Sequence, residues 1–480
     1  MNHTLTVLGL VALLAVLAAL FGMADTGDTP APPPTGATTP PPAKAGSDIA
    51  QVSGIRLRTQ LTHPYVTTGA TEAFLVVSLE ALGGLPKTRL PVDLALVLDR
   101  SASMAGPRLR HAREAARQLI HSLSEHDHLA IIHYGSEAVA LPSLRADAGG
   151  RAQMLAFVDA IEAEGGTHLE EALQVAAEAL GSHRPALTRV LLVSDGQPTV
   201  GEVEPDALIS MVEAMRRRGL TLDALGVGED FNEELLAALA RAGDGTYAYL
   251  RNEAALPQRL LQHRERASNA VAEALELTLT PAPNVELLEV LGHPLERRGP
   301  SSRLRLAGLA AGESSHLVAR VRIHAEPSED ALDVAEVELE VHEAGAGRTD
   351  RTRTMLRARH TSSPPVAASH RDPALTLTVA RALAAQNTAR AADALASYQP
   401  SEAEASLHET RVLLDGLAAS RGALPSPGAD ALRRLQEELR DQQAQVQAAG
   451  ASGGGLEASG TVKALRLAAR QGFGIQGETP

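Results

Sequence analysis

The spacing of apolar residues changes several times along the chain. An uncharged opening stretch, "TLTVLGLVALLAVLAALFGMA" (residues 4–24), gives way to residues 25–50, which are rich in Pro, Thr and Gly and lack any apolar period. "IRLRTQL" and "AFLVVSLEAL" then read as strands. From residue 92 the strand-like segments "VDLALVL", "LAIIHY", "TRVLLVS" and "LTLDALGV" are unbroken apolar runs, spaced by helical periods over 107–123, 168–181, 205–218 and 232–242. Unbroken runs between helices predict a parallel sheet covered on both faces. A second strand-rich region follows in "LELTLTP", "VELLEVL", "SRLRLAGL", "SHLVARVRIHA", "VAEVELEVHEA" and "RTMLRARH".

Two short strands cannot form a stable unit by themselves. Residues 51–90 and 267–360 are therefore expected to build one β-sandwich, with residues 91–266 inserted in it as a doubly wound, mostly parallel α/β sheet. Residues 370–450 are Ala- and Leu-rich with a helical period, a capping box at Ser401 and Glu404, and a start signal at Ser426-Pro427. They predict a helical hairpin or three-helix unit. Residues 451–480, opening on Gly-rich sequence, read as a flexible tail, although "TVKALRLAARQGFGI" has the pattern of one amphipathic helix. A chain of 480 residues is expected to hold several such cores.

Residues 1–24 read as a signal peptide or membrane anchor, long enough to cross a bilayer. The start lacks Lys and Arg, which favours a retained anchor; cleavage after Gly22-Met23-Ala24, with secretion, is the alternative. Residues 25–50 then act as an extended spacer, placing the remainder in the periplasm or at the cell surface. With 58 acidic and 44 basic residues the formal charge is −14, which argues against a nucleic-acid partner, and Arg216-Arg217-Arg218 reads as a helix end. The absence of cysteine excludes disulfides, thiolate metal sites and cysteine nucleophiles.

Candidate chemistry lies where the apolar runs end. "VLDRSASMAG" runs a strand into an acid and two serines, "GGTHLEEAL" precedes a helix, and "SDGQPT" follows "TRVLLV". In a doubly wound sheet these loops share the carboxyl end of the strands, where ligands bind. The candidate set is Asp99, Ser101, Ser103, Thr167 and Asp195. Two carboxylates and three hydroxyls suit a hard divalent cation, Mg2+ first, with Mn2+ or Ca2+ as further options. Some of these groups would act through ordered water, leaving a position open to an anionic oxygen such as a partner protein's carboxylate.

With that set in view, residues 91–266 resemble a von Willebrand factor type A domain, whose metal-ion-dependent adhesion site uses D-x-S-x-S with a distant Thr and Asp. By that resemblance Asp99, Ser101 and Ser103 match the first motif, Thr167 the threonine and Asp195 the second aspartate. Ala102 departs from the glycine common there. The resemblance also implies that binding shifts the helix ending the domain, near residues 253–265. The flanking sandwich is similar to bacterial relatives and to inter-alpha-trypsin-inhibitor heavy chains, though residues before 91 are too few for that group's full amino-terminal domain.

These residue types also have ordinary structural uses. Thr167 with Glu170 also spells a capping box, and Asp195-Gly196 is an ordinary turn dipeptide. His126, Asp127 and His128 look like metal ligands but fall at the opposite end of the sheet. There is no G-x-x-x-x-G-K-[ST], G-x-S-x-G or H-E-x-x-H motif. The expected role is thus non-enzymatic: a metal-dependent protein-binding or adhesion module of the cell envelope. A scaffold whose metal only stabilises the fold is the alternative, with a metal-assisted hydrolase last.

Overall fold

The computed structural model describes residues 46–83, 91–181, 187–195, 197–228, 232–250, 252–293, 295–327, 331–370, 372–419, 426–451 and 456–472. The membrane or signal segment 1–24 and the spacer up to residue 45 lie outside the described residues. Among the described residues no helix is long and apolar enough to cross a membrane.

The chain opens with β1 (Ser47–Val52), β2 (Ile55–Leu61), β3 (Tyr65–Val66) and β4 (Gly69–Ala81). The inserted segment follows as β5 (Val92–Asp99), α1 (Pro107–Ser122), β6 (His128–Tyr134), β7 (Ala138–Arg145), α2 (Ala148–Asp159), α3 (Leu169–Leu180), β8 (Leu187–Ser194), α4 (Pro205–Arg217), β9 (Thr221–Val227), α5 (Glu233–Ala242), β10 (Tyr247–Leu250) and α6 (Leu256–Ser268). Its sheet runs β10-β9-β8-β5-β6-β7, parallel except for β7, which pairs antiparallel with β6. All eight residues of β5 are buried. The unbroken apolar runs follow from two covered faces. Leu94, Leu96 and Leu98 pack in the core with Leu119 of α1 and Leu260 of α6, while Ala95 and Val97 share the other core with Leu173 of α3, Val212 of α4 and Leu239 of α5.

After α6 only Asn269 intervenes before β11 (Ala270–Pro281), which is followed by β12 (Val285–Val290), β13 (Glu296–Arg298), β14 (Ser301–Ala310), β15 (Ser314–Ala325), β16 (Ala331–Glu343) and β17 (Thr349–His360). One sheet is ordered β1-β2-β4-β15-β12 and the other β13-β14-β11-β16-β17-β3, so strands from both sides of the insertion share each sheet. β4 pairs with β15 residue for residue, from Gly69 opposite Ala325 to Glu80 opposite Ser314. Between the sheets, Leu75, Val77 and Leu79 of β4 meet Leu277 of β11 and Leu339 of β16. β1 reaches into the stretch read as spacer: Ser47–Ala50 are already in strand.

The remaining helices are α7 (Pro364–Ser369), α8 (Pro373–Ala396), α9 (Pro400–Ala419), α10 (Ser426–Ala451) and α11 (Leu456–Gly472). Of these, α8 to α11 cover the outer face of β4: Phe74 and Val76 share a core with Val379 of α8, Leu407 of α9, Leu439 of α10 and Leu465 of α11. Two expectations change here. The segment read as a flexible tail carries α11, because Val462, Leu465 and Ala469 bury one face of it. The expected capping box at Ser401 is displaced by a turn from Gln399, whose carbonyl accepts the amides of Glu402 and Ala403.

Candidate metal centre

β5 and β8 are neighbours in the sheet, paired in parallel from Val92 opposite Leu187 to Leu98 opposite Val193. Their carboxyl ends therefore deliver Asp99 and the Ser194-Asp195 pair to the same point. Asp99 is fully buried. Its Oδ1 accepts the Ser101 amide at 2.9 Å, so the acid itself folds the turn that follows it. Its Oδ2 accepts the Ser194 hydroxyl at 2.8 Å, with Tyr134 Oη at a longer 3.4 Å. Ser101 Oγ lies 3.0 Å from Ser103 Oγ, and Ser103 Oγ donates to Asp195 Oδ1 at 2.8 Å. Ser101, Ser103 and Asp195 thus form one hydrogen-bonded chain of oxygens, and Asp99 is joined to it through the Ser101 amide.

Thr167 is brought to the same end by its backbone. The Ala102 amide donates to the Gly165 carbonyl at 3.1 Å and the Glu164 amide to the Arg100 carbonyl at 2.8 Å. On the other side, the Thr167 amide donates to Thr199 Oγ1 at 2.9 Å, and its carbonyl accepts the Thr199 and Val200 amides. Gly165 holds φ +77, and a Cβ there would stand 2.7 Å from Ser136 Oγ, so a side chain is excluded where the loop crosses. Thr167 is buried, and among the described residues its hydroxyl is not hydrogen-bonded to the other four. Nor does it cap α3: the cap position is His168, without a side-chain cap bond.

Burial pushes the Asp99 carboxyl above its usual range, against the hydrogen bonds from Ser101 and Ser194; the neighbouring charge of Asp195 adds to the rise. A buried acid held against its own ionisation is poised for a positive partner. The donors suit one. A cation of octahedral preference holds oxygens at about 2.1 Å, so neighbouring ligands stand about 3 Å apart. The Ser101–Ser103 and Ser103–Asp195 separations of 3.0 and 2.8 Å have that spacing, and every donor is a hard oxygen.

Several participants carried no sequence signal. Ser194 and Tyr134 matter only because β5 is flanked by β8 and β6. Arg108, in the first turn of α1, donates to Asp195 Oδ2 at 2.8 Å, where the Asp195 side chain is completely buried. By contrast, Asp127 is occupied in shaping the opposite end of the sheet: its carboxylate accepts the amides of Val92 and Ser124. Among the described residues no cluster of three or more His, Cys, Asp or Glu side chains converges as a metal site, and His126 and His128 join none.

Residues 93–262 match the family model of the von Willebrand factor type A domain. This segment is a von Willebrand factor type A domain. Similar domains occur in YfbK of Escherichia coli, 34% identical over 165 residues, which are 33% of this chain and 28% of that protein. Human inter-alpha-trypsin inhibitor heavy chain H4 is 30% identical over 167 residues, 33% of this chain and 18% of its own. The chain thus spans less than a third of either of these relatives. A solved structure described as von Willebrand factor type A from Catenulispora acidiphila shares the fold over 85% of this chain and 91% of its own, with a TM-score of 0.62 and 17% identity. That likeness of fold extends well beyond the von Willebrand factor type A domain, which is in general a protein-interaction and adhesion module.

Proposed function

We propose that the domain holds a divalent cation, Mg2+ in preference to Mn2+ or Ca2+, through Asp99, Ser101, Ser103, Thr167 and Asp195, and uses it to bind a protein partner at the cell envelope. The observation that carries this reading is the row of hard oxygens at Asp99, Ser101, Ser103 and Asp195, spaced at 2.8 to 3.0 Å over its hydroxyls and standing at the carboxyl end of β5 and β8. When bound, the ion would supply a Lewis-acidic position for a carboxylate oxygen from an Asp or Glu of the partner. Asp99 and Asp195 supply the negative charge, and the three hydroxyls complete the set without adding more. The Ser101 amide and Ser194 hydroxyl fix the Asp99 carboxylate before any ligand arrives. Residues 1–24 and the Pro-rich spacer would present the domain outside the cytoplasm.

Titration calorimetry of the full chain with Mg2+ and Mn2+ tests the first half: one ion per chain is expected, with Asp99→Ala costing more affinity than Thr167→Ala. No binding by the folded wild-type chain would sink the reading. Capture from an envelope extract, with Mg2+ and with chelator, tests the second half. A partner retained equally under both conditions, and by Asp99→Ala, would put the interface elsewhere.

A further inference from the structure

Arg108 is an unusual residue for its place. It sits one position into α1, behind Pro107, where the helix N-terminus disfavours a cation and where no acidic residue of the same turn compensates. What holds it is a cradle assembled from distant parts of the chain. Nη1 donates to Asp195 Oδ2 at 2.8 Å and to the Ser103 carbonyl at 3.3 Å. Nε lies 3.5 Å from Glu253 Oε1. Gly228, at φ +86, leaves the space the guanidinium fills: a Cβ there would come within 2.9 Å of Nη2. Both oxygens of Asp195 are thereby occupied, Oδ1 by Ser103 and Oδ2 by Arg108.

We propose that Arg108 is a tethered cation that competes with the divalent ion for Asp195, and that Glu253 receives its charge when it yields. This rests on the metal-binding reading above. A fixed positive charge against a ligand of a doubly charged ion opposes it strongly in a partly buried site. Arg108 neutralises the buried Asp195 when no ion is present and sets a threshold concentration for loading. Glu253 opens the single turn Glu253–Ala255 that leads into α6, and α6 passes through Asn269 into β11 of the sandwich. The acid that would take Arg108 therefore stands outside the metal loops, on the segment that joins the domain to the sandwich.

The test is calorimetric titration of Mg2+ and Mn2+ into the full chain, wild type and variants. Arg108→Gln should bind the ion roughly tenfold or more tightly, equivalent to about 1.4 kcal/mol or more. Arg108→Lys, which keeps the charge, should stay close to wild type. Glu253→Gln should weaken binding, because Arg108 then has no second acid to accept it. In the Arg108→Gln background the same Glu253 change should lose most of its effect, a coupling read directly by the double-mutant cycle. Gain of affinity cannot come from a misfolded variant, and the Glu253 arm stands independently of how Arg108→Gln folds. Equal or weaker binding by Arg108→Gln overturns the competition while leaving the metal reading intact. Independent, additive effects at the two positions overturn the transfer to Glu253. Failure of wild type and Arg108→Gln alike to bind either ion overturns the competition together with the metal reading.

Discussion

Arg320 and Glu72 are 248 residues apart in the chain, and Arg320 Nη2 donates to Glu72 Oε2 at 2.6 Å. Arg322 donates to the other oxygen of the same carboxylate at 2.9 Å. The bond bridges β15 and β4 across the whole inserted domain. Burial, the largest single influence, raises the Glu72 carboxyl, but the two guanidiniums together hold it below its usual range. Glu72→Ala should cost about 1 kcal/mol in urea unfolding, since the side chains are partly exposed and solvent screens them. The loss should shrink at high salt, and a cost unaffected by salt would assign it to packing.

Asp223 should make a larger contribution. It is fully buried, accepts Arg189 Nη1 at 2.9 Å, and receives both the amide and the hydroxyl of Thr246 at 2.7 and 2.8 Å. Burial raises its carboxyl, yet Arg189, then His263, hold it well below the usual 3.8. A depressed folded value means stability that is present above the unfolded value and lost as pH falls through the folded one. Asp223→Asn should cost about 3 kcal/mol near neutrality, because Arg189 is left buried and unpaired. The variant should also show a flatter decline than wild type in unfolding midpoints taken below about pH 4.

His133 acts with the opposite charge. Burial, helped by the nearby Arg100, pulls its ring down from 6.5 to about 4. Its Nδ1 has no hydrogen-bond partner among the described residues, and the ring packs 5.1 Å from that of Phe157. The folded chain keeps His133 neutral while the unfolded chain binds a proton below 6.5. Its contribution is therefore complete above that pH and is lost progressively as pH falls towards 4. Unfolding midpoints of His133→Gln should fall less than those of wild type over this window.

Asp99 is predicted to trade stability for binding. Because burial disfavours its charge, Asp99→Asn should raise the melting temperature in chelator, since the amide can still accept from the Ser101 amide and donate to the Ser194 hydroxyl. Added Mg2+ should stabilise wild type and leave this variant unmoved. A variant that melts lower in chelator would show that the carboxylate itself supports the fold.

Periodicity revealed the inserted sheet because its strands are apolar on both faces, as Leu96 and Val97 illustrate by packing into different cores. It did not reveal α2, whose sequence "AGGRAQMLAFVD" carries two glycines in its first turn and buries only Gly150, Met154 and Val158. Nor did it show β7, an edge strand interrupted by Pro142 and half exposed along its length. The spacing of Asp99, Ser101 and Ser103 was readable because a single turn gathers them, and Asp195 because it ends an apolar run. Arg108 was not, since its partners come from three separate loops and only the packing of α1 brings them together.

The inserted domain joins the sandwich at two central strands: the chain leaves β4 at Ala81 and returns at Ala270 into β11. β4 is gripped by β2 and β15, and β11 by β14 and β16, each in extended register. Neither attachment is a sheet edge that peels. Tension that a captured partner would apply to the domain is consequently spread across both sheets at once, which makes this molecule mechanically a rivet set in two plates rather than a flag on one string.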